Sequence, residues 1–296
     1  MEQISWRHHY IPEFYLKGFT NENNQFAIYS IKDKKFKKDG KLFSPESHFF
    51  KKNDNTISDL RKSPIDLLEK NYSLLDDKIA TVFNKLKNEK GDNTYGITPE
   101  DRIMLQYYVS ILFWRLPSNN EIVKEMTKHD MFEFLGLTVT DEYALENIKR
   151  LQFAEHIKQH KEYHKILRLW IPQMTFPTMF DSKSQTNITT FPPNKLPGIC
   201  SDNPLILRHP EKLDLYNDDF ILPLNRNIIF YRSAKMKDPI HSTVKIYIDM
   251  LVLLQSKELA CCTDTKYIDM LIDLFHKNFK NIDHLRKSIF HHLCED

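Results

Sequence analysis

Between Thr98 and Pro117 the chain reads TPEDRIMLQYYVSILFWRLP, and this stretch limits the fold more than any other. Thr98-Pro99-Glu100-Asp101 is a helix-opening signal: a hydroxyl at the N-cap, a proline that needs no amide partner in the first turn, and acids beside the exposed N–H groups. The residues that follow are apolar nearly all round, so this helix has no face to offer to water and must be surrounded. At 296 residues, 41% hydrophobic and 12% aromatic, the chain has enough material to bury it.

The neighbouring segments read as further helices. Leu67, Leu68, Tyr72, Leu75, Ile79, Val82, Phe83 and Leu86 recur at helical spacing over 64–90, closing at Gly91. Residues 119–135 and 141–170 read as two more helices, the second long and charged. Segments 243–256, 265–279 and a last amphipathic stretch from Ile282 also carry the helical period. A short helix is expected over 12–18, with Pro12 at its start and Gly18 as a left-handed C-cap.

Strand texture lies in two places. QFAIYSIK over 25–32 alternates, then a lysine-rich turn through Asp39-Gly40 leads to a second short strand near 41–44. Between 172 and 239, prolines and short apolar runs such as GICSDNPLIL, DDFILPL and NIIFYRS read as strands joined by tight turns. The expected fold class is α+β, one domain over 1–296. Its parts are an N-terminal hairpin (1–60), a helical middle (64–170), a strand-rich region (172–239) and C-terminal helices (243–294). The helical middle packs on a small mixed or antiparallel sheet formed by the hairpin and the C-terminal strand region.

Charge and composition exclude several function classes. The 42 basic and 40 acidic residues nearly cancel to +2, so no global field draws the chain onto nucleic acid or a membrane, and any basic surface must be local. With six glycines and no GxGxxG or GxxxxGK[ST], neither a dinucleotide fold nor a P-loop is expected, and no cofactor. No apolar run reaches membrane-spanning length and the first twenty residues carry no secretory pattern, so a cytoplasmic location without a membrane partner is expected. Cys200, Cys261, Cys262 and Cys294 match no zinc spacing and read as reduced, inert thiols.

Two polar stretches stand out. RHHYIPEFYLKGF sets Arg7, His8, His9 and Tyr10 side by side, and Ile11 before Pro12 keeps them extended. Neighbours on an extended segment point to opposite faces, so at most one of His8 and His9 enters a site, and His9 is favoured. The second stretch is Ser201-Asp202-Asn203-Pro204 at a strand end, which suits either a site or a side-chain-capped turn.

RHHYIPEFYLKGF, the helix LLEKNYSLLDDKIATVFNKL, the helix ending FWRLP, the SDNP element and ILPLNRNIIF together resemble, in that order, the domain of unknown function 4238 family. The resemblance spans nearly the whole chain. It implies a single bacterial-type domain with a polar centre built from its two ends, and no particular reaction. If those ends share a sheet, His9 meets Asp202, with Arg7, Tyr10, Arg115 and His8 nearby and Ser201 and Asn203 as binding groups. A histidine with a carboxylate suits general acid–base work and an arginine suits phosphate. The expectation is a nuclease or phosphodiester hydrolase, toxin-like or in phage defence, its partner a nucleic acid or a small phosphorylated ligand. The alternative is a non-catalytic binding or regulatory module whose cluster is a structural or anion-binding network. The oligomeric state is not fixed by the sequence.

The remaining constellations carry blander readings. His156, His160 and His164 form an i, i+4, i+8 stripe without the glutamate of HExxH, and a solvated face is preferred. His291, His292 and Cys294 are a terminal set suited at most to adventitious metal, so no metal site is expected. Lys32, Lys34, Lys35, Lys37, Lys38 and Lys41, with Lys51 and Lys52 beside Phe49 and Phe50, suit phosphates and stacked bases but equally a soluble sheet edge. Glu69, Asp76 and Asp77 are expected to face solvent.

Overall fold

The structure is a computed structural model that describes residues 6–58, 64–87, 96–129, 131–135, 144–179, 186–191, 196–233 and 240–293. The chain begins with β1 (Arg7–His9), α1 (Glu13–Leu16), β2 (Phe26–Ser30), β3 (Lys35–Phe36), β4 (Leu42–Phe43), β5 (Phe50–Lys52), β6 (Ile57–Ser58) and β7 (Pro64–Ile65). Helices follow: α2 (Leu67–Lys87), α3 (Pro99–Arg115), α4 (Asn120–Met126), α5 (Met131–Phe134), α6 (Ala144–Gln159) and α7 (His164–Met179). The last third holds β8 (Thr186–Thr190), β9 (Cys200–Ser201), β10 (Ile206–Leu207), β11 (Phe220–Pro223), β12 (Ile228–Arg232), α8 (Thr243–Leu254), β13 (Leu259–Cys262), α9 (Thr265–Asn278) and α10 (Ile282–Leu293).

The expected α+β class is what the chain forms. The Thr98 hydroxyl accepts from the Asp101 amide, the Asp101 carboxylate accepts from the Thr98 amide, and Lys85 donates to the same carboxylate at 2.6 Å. That box starts α3 and ties it to the end of α2. Leu105, Tyr108, Val109, Ile111 and Leu112 of α3 are then buried on successive sides, with α7 and α2 packed across them.

Two antiparallel sheets lie between helical layers. One runs β3-β2-β13-β9 with β4 also on β2, and the other runs β10-β11-β12-β8. The first joins the N-terminal hairpin to Cys200 and Ser201 as expected, but through β13, a strand hidden between two helical segments. Alternate residues face different cores. Ile28, Cys261 and Cys200 face the core of α2, α3 and α7, whereas Tyr29, Ala260 and Cys262 face that of α8, α9 and α10. β11 and β12 divide the same way, Phe220 and Phe230 to one side, Ile221 and Ile229 to the other. Strands buried on both faces have no solvent side to keep polar, which is why FILP and IIFYR read as unbroken apolar runs.

Several boundaries differ from the sequence expectation. The strand region does not begin at residue 172, because α7 runs to Met179 with Pro172 and Pro177 inside it. Burial of Leu167, Leu169 and Ile171 against α3 outweighs the missing amide hydrogen bonds. The helix of 141–170 breaks at His160, whose φ of −120° and ψ of 94° are extended, and that of 119–135 divides into α4 and α5. Gly18 is not a left-handed cap. It lies in a 3-10 turn where a Cβ would sit 2.9 Å from Asn225 Cβ and from the Leu224 carbonyl, so close approach is what requires glycine. The proposed closure at Gly91 lies outside the described residues.

Candidate functional site

β1 pairs antiparallel with β5 in the register Arg7 to Lys52, His8 to Lys51 and His9 to Phe50. The alternation holds, but His8 takes the deeper position. Its Nδ1 accepts a 2.7 Å hydrogen bond from the Asn55 amide, and because a backbone N–H can only donate, that nitrogen carries no proton. Asn55 donates its side-chain amide to Glu69 at 2.7 Å and accepts at its Oδ1 from Arg168 at 3.2 Å. Arg168 also donates to the Asp54 carboxylate at 2.6 Å. One asparagine thus joins the N-terminal ribbon, α2 and α7.

His9 faces the other way. It packs against Phe50 with ring centroids 5.5 Å apart, and its Nδ1 lies 3.7 Å from Glu13. Burial, and then the charge of Arg115, push its pKa down from 6.5 to about 4. Arg115 donates to both oxygens of Asp76 at 2.8 and 2.9 Å and lies 4.4 Å over the Tyr72 ring. Burial pushes the Asp76 carboxyl up, and Arg115 draws it part of the way back. Glu69, Tyr72 and Asp76, at i, i+3 and i+7, form one stripe of α2 turned into the protein. Glu69 and Asp76 therefore do not face solvent as expected, since Asn55 and Arg115 hold them inside. Four buried polar atoms near Arg115 have no hydrogen-bond partner among the described residues: its own Nε, His9 Nε2, Tyr72 Oη and Tyr108 Oη. Such groups are uncommon in a folded interior.

Asp202 belongs to a different piece of architecture. Its carboxylate accepts from the amides of Lys257, Glu258 and Leu259 at 2.9, 2.6 and 3.2 Å, fixing the turn that starts β13. Burial pushes its pKa up, against the pull of those three donors. Ser201 accepts from the Asn203 amide, and Asn203 and Gln255 bind each other's backbone carbonyls. The expected pairing of His9 with Asp202 is thus replaced by His9 with Glu13, since both Asp202 oxygens serve the turn. The two ends of the chain do approach one another. It is buried Tyr10 that feels the Asp202 charge, which adds to burial in raising the phenol's pKa. Arg7 lies on the outer side of the ribbon against Trp6 and Phe50.

Beside the Asn55 hub lies a cleft of about 690 Å³ between α4, the end of α6 and α7. Among the described residues its walls carry Lys124, Lys128, Lys158, Lys161, Lys165 and Arg168 against one carboxylate, Asp54, with His164 among them. Lys165 donates to the Thr56 carbonyl at 3.0 Å, so the turn bearing Asp54 and Asn55 is held from α7 at two points. The histidine stripe of 156, 160 and 164 is interrupted by the break at His160, which accounts for His164 alone of the three lining the cleft. Among the described residues no group of three His, Cys, Asp or Glu side chains is disposed to hold a metal. Cys294, of the terminal set, lies outside them. Sequence reasoning missed the cleft and the hub. The signal for the cleft was present as lysines at i, i+4 in 124/128 and 161/165, whereas Asn55 and Arg168 join only through tertiary contact.

A family model covers residues 7–285, from Arg7 through the Asn55 hub and the cleft to α10. The chain belongs to the family described as protein of unknown function (DUF4238). No curated protein and no solved structure matches it. The family span includes both the ribbon and the Asp202 turn, so the whole polar frame lies within the family domain. Among the described residues no helix is long and apolar enough to cross a membrane.

Proposed function

We propose that this protein is a binding module whose cleft takes a phosphate-bearing anion, with the Asn55 and Arg115 networks as its frame. The observation that carries this reading is charge: six cations and one carboxylate around about 690 Å³. Like charges gathered on facing walls repel, and a multivalent anion relieves that repulsion while releasing its own counterions. Glu121, Glu125 and Glu155 pair with Lys124, Lys128 and Lys158, but they are exposed, and such pairs are worth little and exchange readily for a ligand.

A hydrolase of the nuclease type is the second reading, favoured by the four unpartnered polar atoms around Arg115. It ranks below binding because a general base works best with a pKa near the working pH, and His9 is pushed down to about 4. Titration calorimetry with tripolyphosphate at low salt tests the binding reading. Binding that weakens with salt, and falls at least about tenfold in a Lys124→Glu/Lys128→Glu protein of unchanged melting temperature, supports the cleft. No binding by the wild type, or equal binding by the variant, refutes it. Cleavage of the phosphodiester bonds of an added oligonucleotide by the wild type, abolished by His9→Gln while tripolyphosphate binding survives, would rank hydrolysis first.

A further inference from the structure

We infer that the anion is a single-stranded nucleic acid, its phosphates lying along the lysine cleft and one base stacked on Trp6; this rests on the cleft reading above. Two independent features point to a strand. The first is spacing. Lys124 and Lys128 line one wall and Lys161 and Lys165 the other, so each wall presents two cations four residues apart in the chain. A nucleic-acid strand carries a charge about every 3.4 Å along its axis when stacked, a row that cations on two facing walls can meet at more than one phosphate. A lone phosphate would engage one rung and leave the other unused.

The second feature is an aromatic surface next to that row. Trp6 is 45% exposed, unusual for so large a ring, and the Arg7 guanidinium and Lys52 ammonium lie 4.7 and 5.1 Å from its centroid. The register that sets Arg7 opposite Lys52 brings both cations to one side of the ribbon, and Phe50 meets the Trp6 ring edge-on at 5.9 Å. The patch adjoins the cleft through one turn: the Asn53 amide donates to the Trp6 carbonyl at 2.9 Å, and the next residue, Asp54, lines the cleft. Arg7 and Lys52 both lie over the ring, so a base that stacks on Trp6 takes the place of a cation over its face and the displaced cation meets the adjoining phosphate. Inorganic polyphosphate would satisfy the lysines and leave Trp6 without a role, and a duplex hides the base faces that Trp6 requires.

Fluorescence anisotropy tests this with labelled oligouridylate and oligothymidylate, an abasic strand of equal length, and a duplex. Base-containing strands are expected to bind about 5- to 150-fold more tightly than the abasic strand. Trp6→Ala should remove that advantage and leave abasic binding unchanged, and strand binding should quench tryptophan emission in the wild type only. Abasic strand or duplex binding as tightly as the base-containing strands, or a Trp6→Ala protein with wild-type affinity, overturns the inference. Tripolyphosphate separates the two levels. If it binds but bases add nothing, only the strand assignment falls; if it and the abasic strand both fail to bind, the cleft reading itself falls.

Discussion

Replacing His9 with glutamine should flatten the acid limb of the stability curve. In the folded protein burial and the charges of Arg115 and Arg7 hold the imidazole neutral down to about 4, with the Pro45 and Glu46 backbone offsetting part of this and Glu13 3.7 Å away. In the unfolded chain the same ring titrates near 6.5. Between those values the unfolded state binds the extra proton. The contribution of a neutral His9 is therefore complete above about 6.5 and is lost as pH falls to about 4. At about 1.4 kcal/mol per pH unit the interval is worth about 3 kcal/mol, a large part of an ordinary folding free energy.

Urea unfolding of wild type and His9→Gln at a series of pH values between 7 and 4 isolates this amount. His48 is also held at about 4, by burial and by Lys37 and Lys38, and the raised carboxyls of Asp76 and Asp202 act in the opposite sense. These groups are common to both proteins and cancel in the difference. That difference should move by about 3 kcal/mol across the interval. A difference that stays level, or an NMR titration of the His9 ring with a midpoint near 6.5, would refute the reasoning.

Two further substitutions test the frame. Arg115→Met should cost about 3 to 5 kcal/mol by leaving Asp76 buried and unpaired, and Asp76→Leu added to it should recover much of the loss in the same urea assay. Asp202→Asn should cost about 2 kcal/mol, because its amide nitrogen must face a backbone donor; fast hydrogen exchange at Lys257, Glu258 and Leu259 would locate the damage, and unchanged exchange there would contradict the assigned role.

What was legible in the sequence depended on the range of the interaction. The capping box at Thr98 and the burial of the helix after it are local facts, and both appear as read. β2, α2, α8, α9 and α10 follow for the same reason. β13 escaped notice because LACC is too short to have a period, and its strand character comes from β2 on one side and β9 on the other. α7 passed through two prolines because packing on α3 overrode a local penalty. At the site, extended geometry correctly divided His8 from His9 between two faces, but which face lies inward depends on Asn55, forty-seven residues away. Asp202 was conspicuous for being a turn former, and turn formation is what both its oxygens do.

The division of labour between the two histidines follows from the hub. Asn55 must hold a carboxylate with its amide and receive Arg168 at its carbonyl, which leaves its backbone N–H facing the ribbon with no sheet partner. A buried N–H of that kind needs a fixed acceptor, and the unprotonated Nδ1 of His8 supplies one at 2.7 Å. The same residue therefore sets the depth of β1, hence the position of Trp6 and Arg7 on its outer side, and through Arg168 and Asp54 the near wall of the cleft. A change that lets the ribbon slip would displace both surfaces at once, which makes the ribbon and the lysine cleft one structural unit although Lys52 of the one and Lys165 of the other are more than a hundred residues apart in the chain.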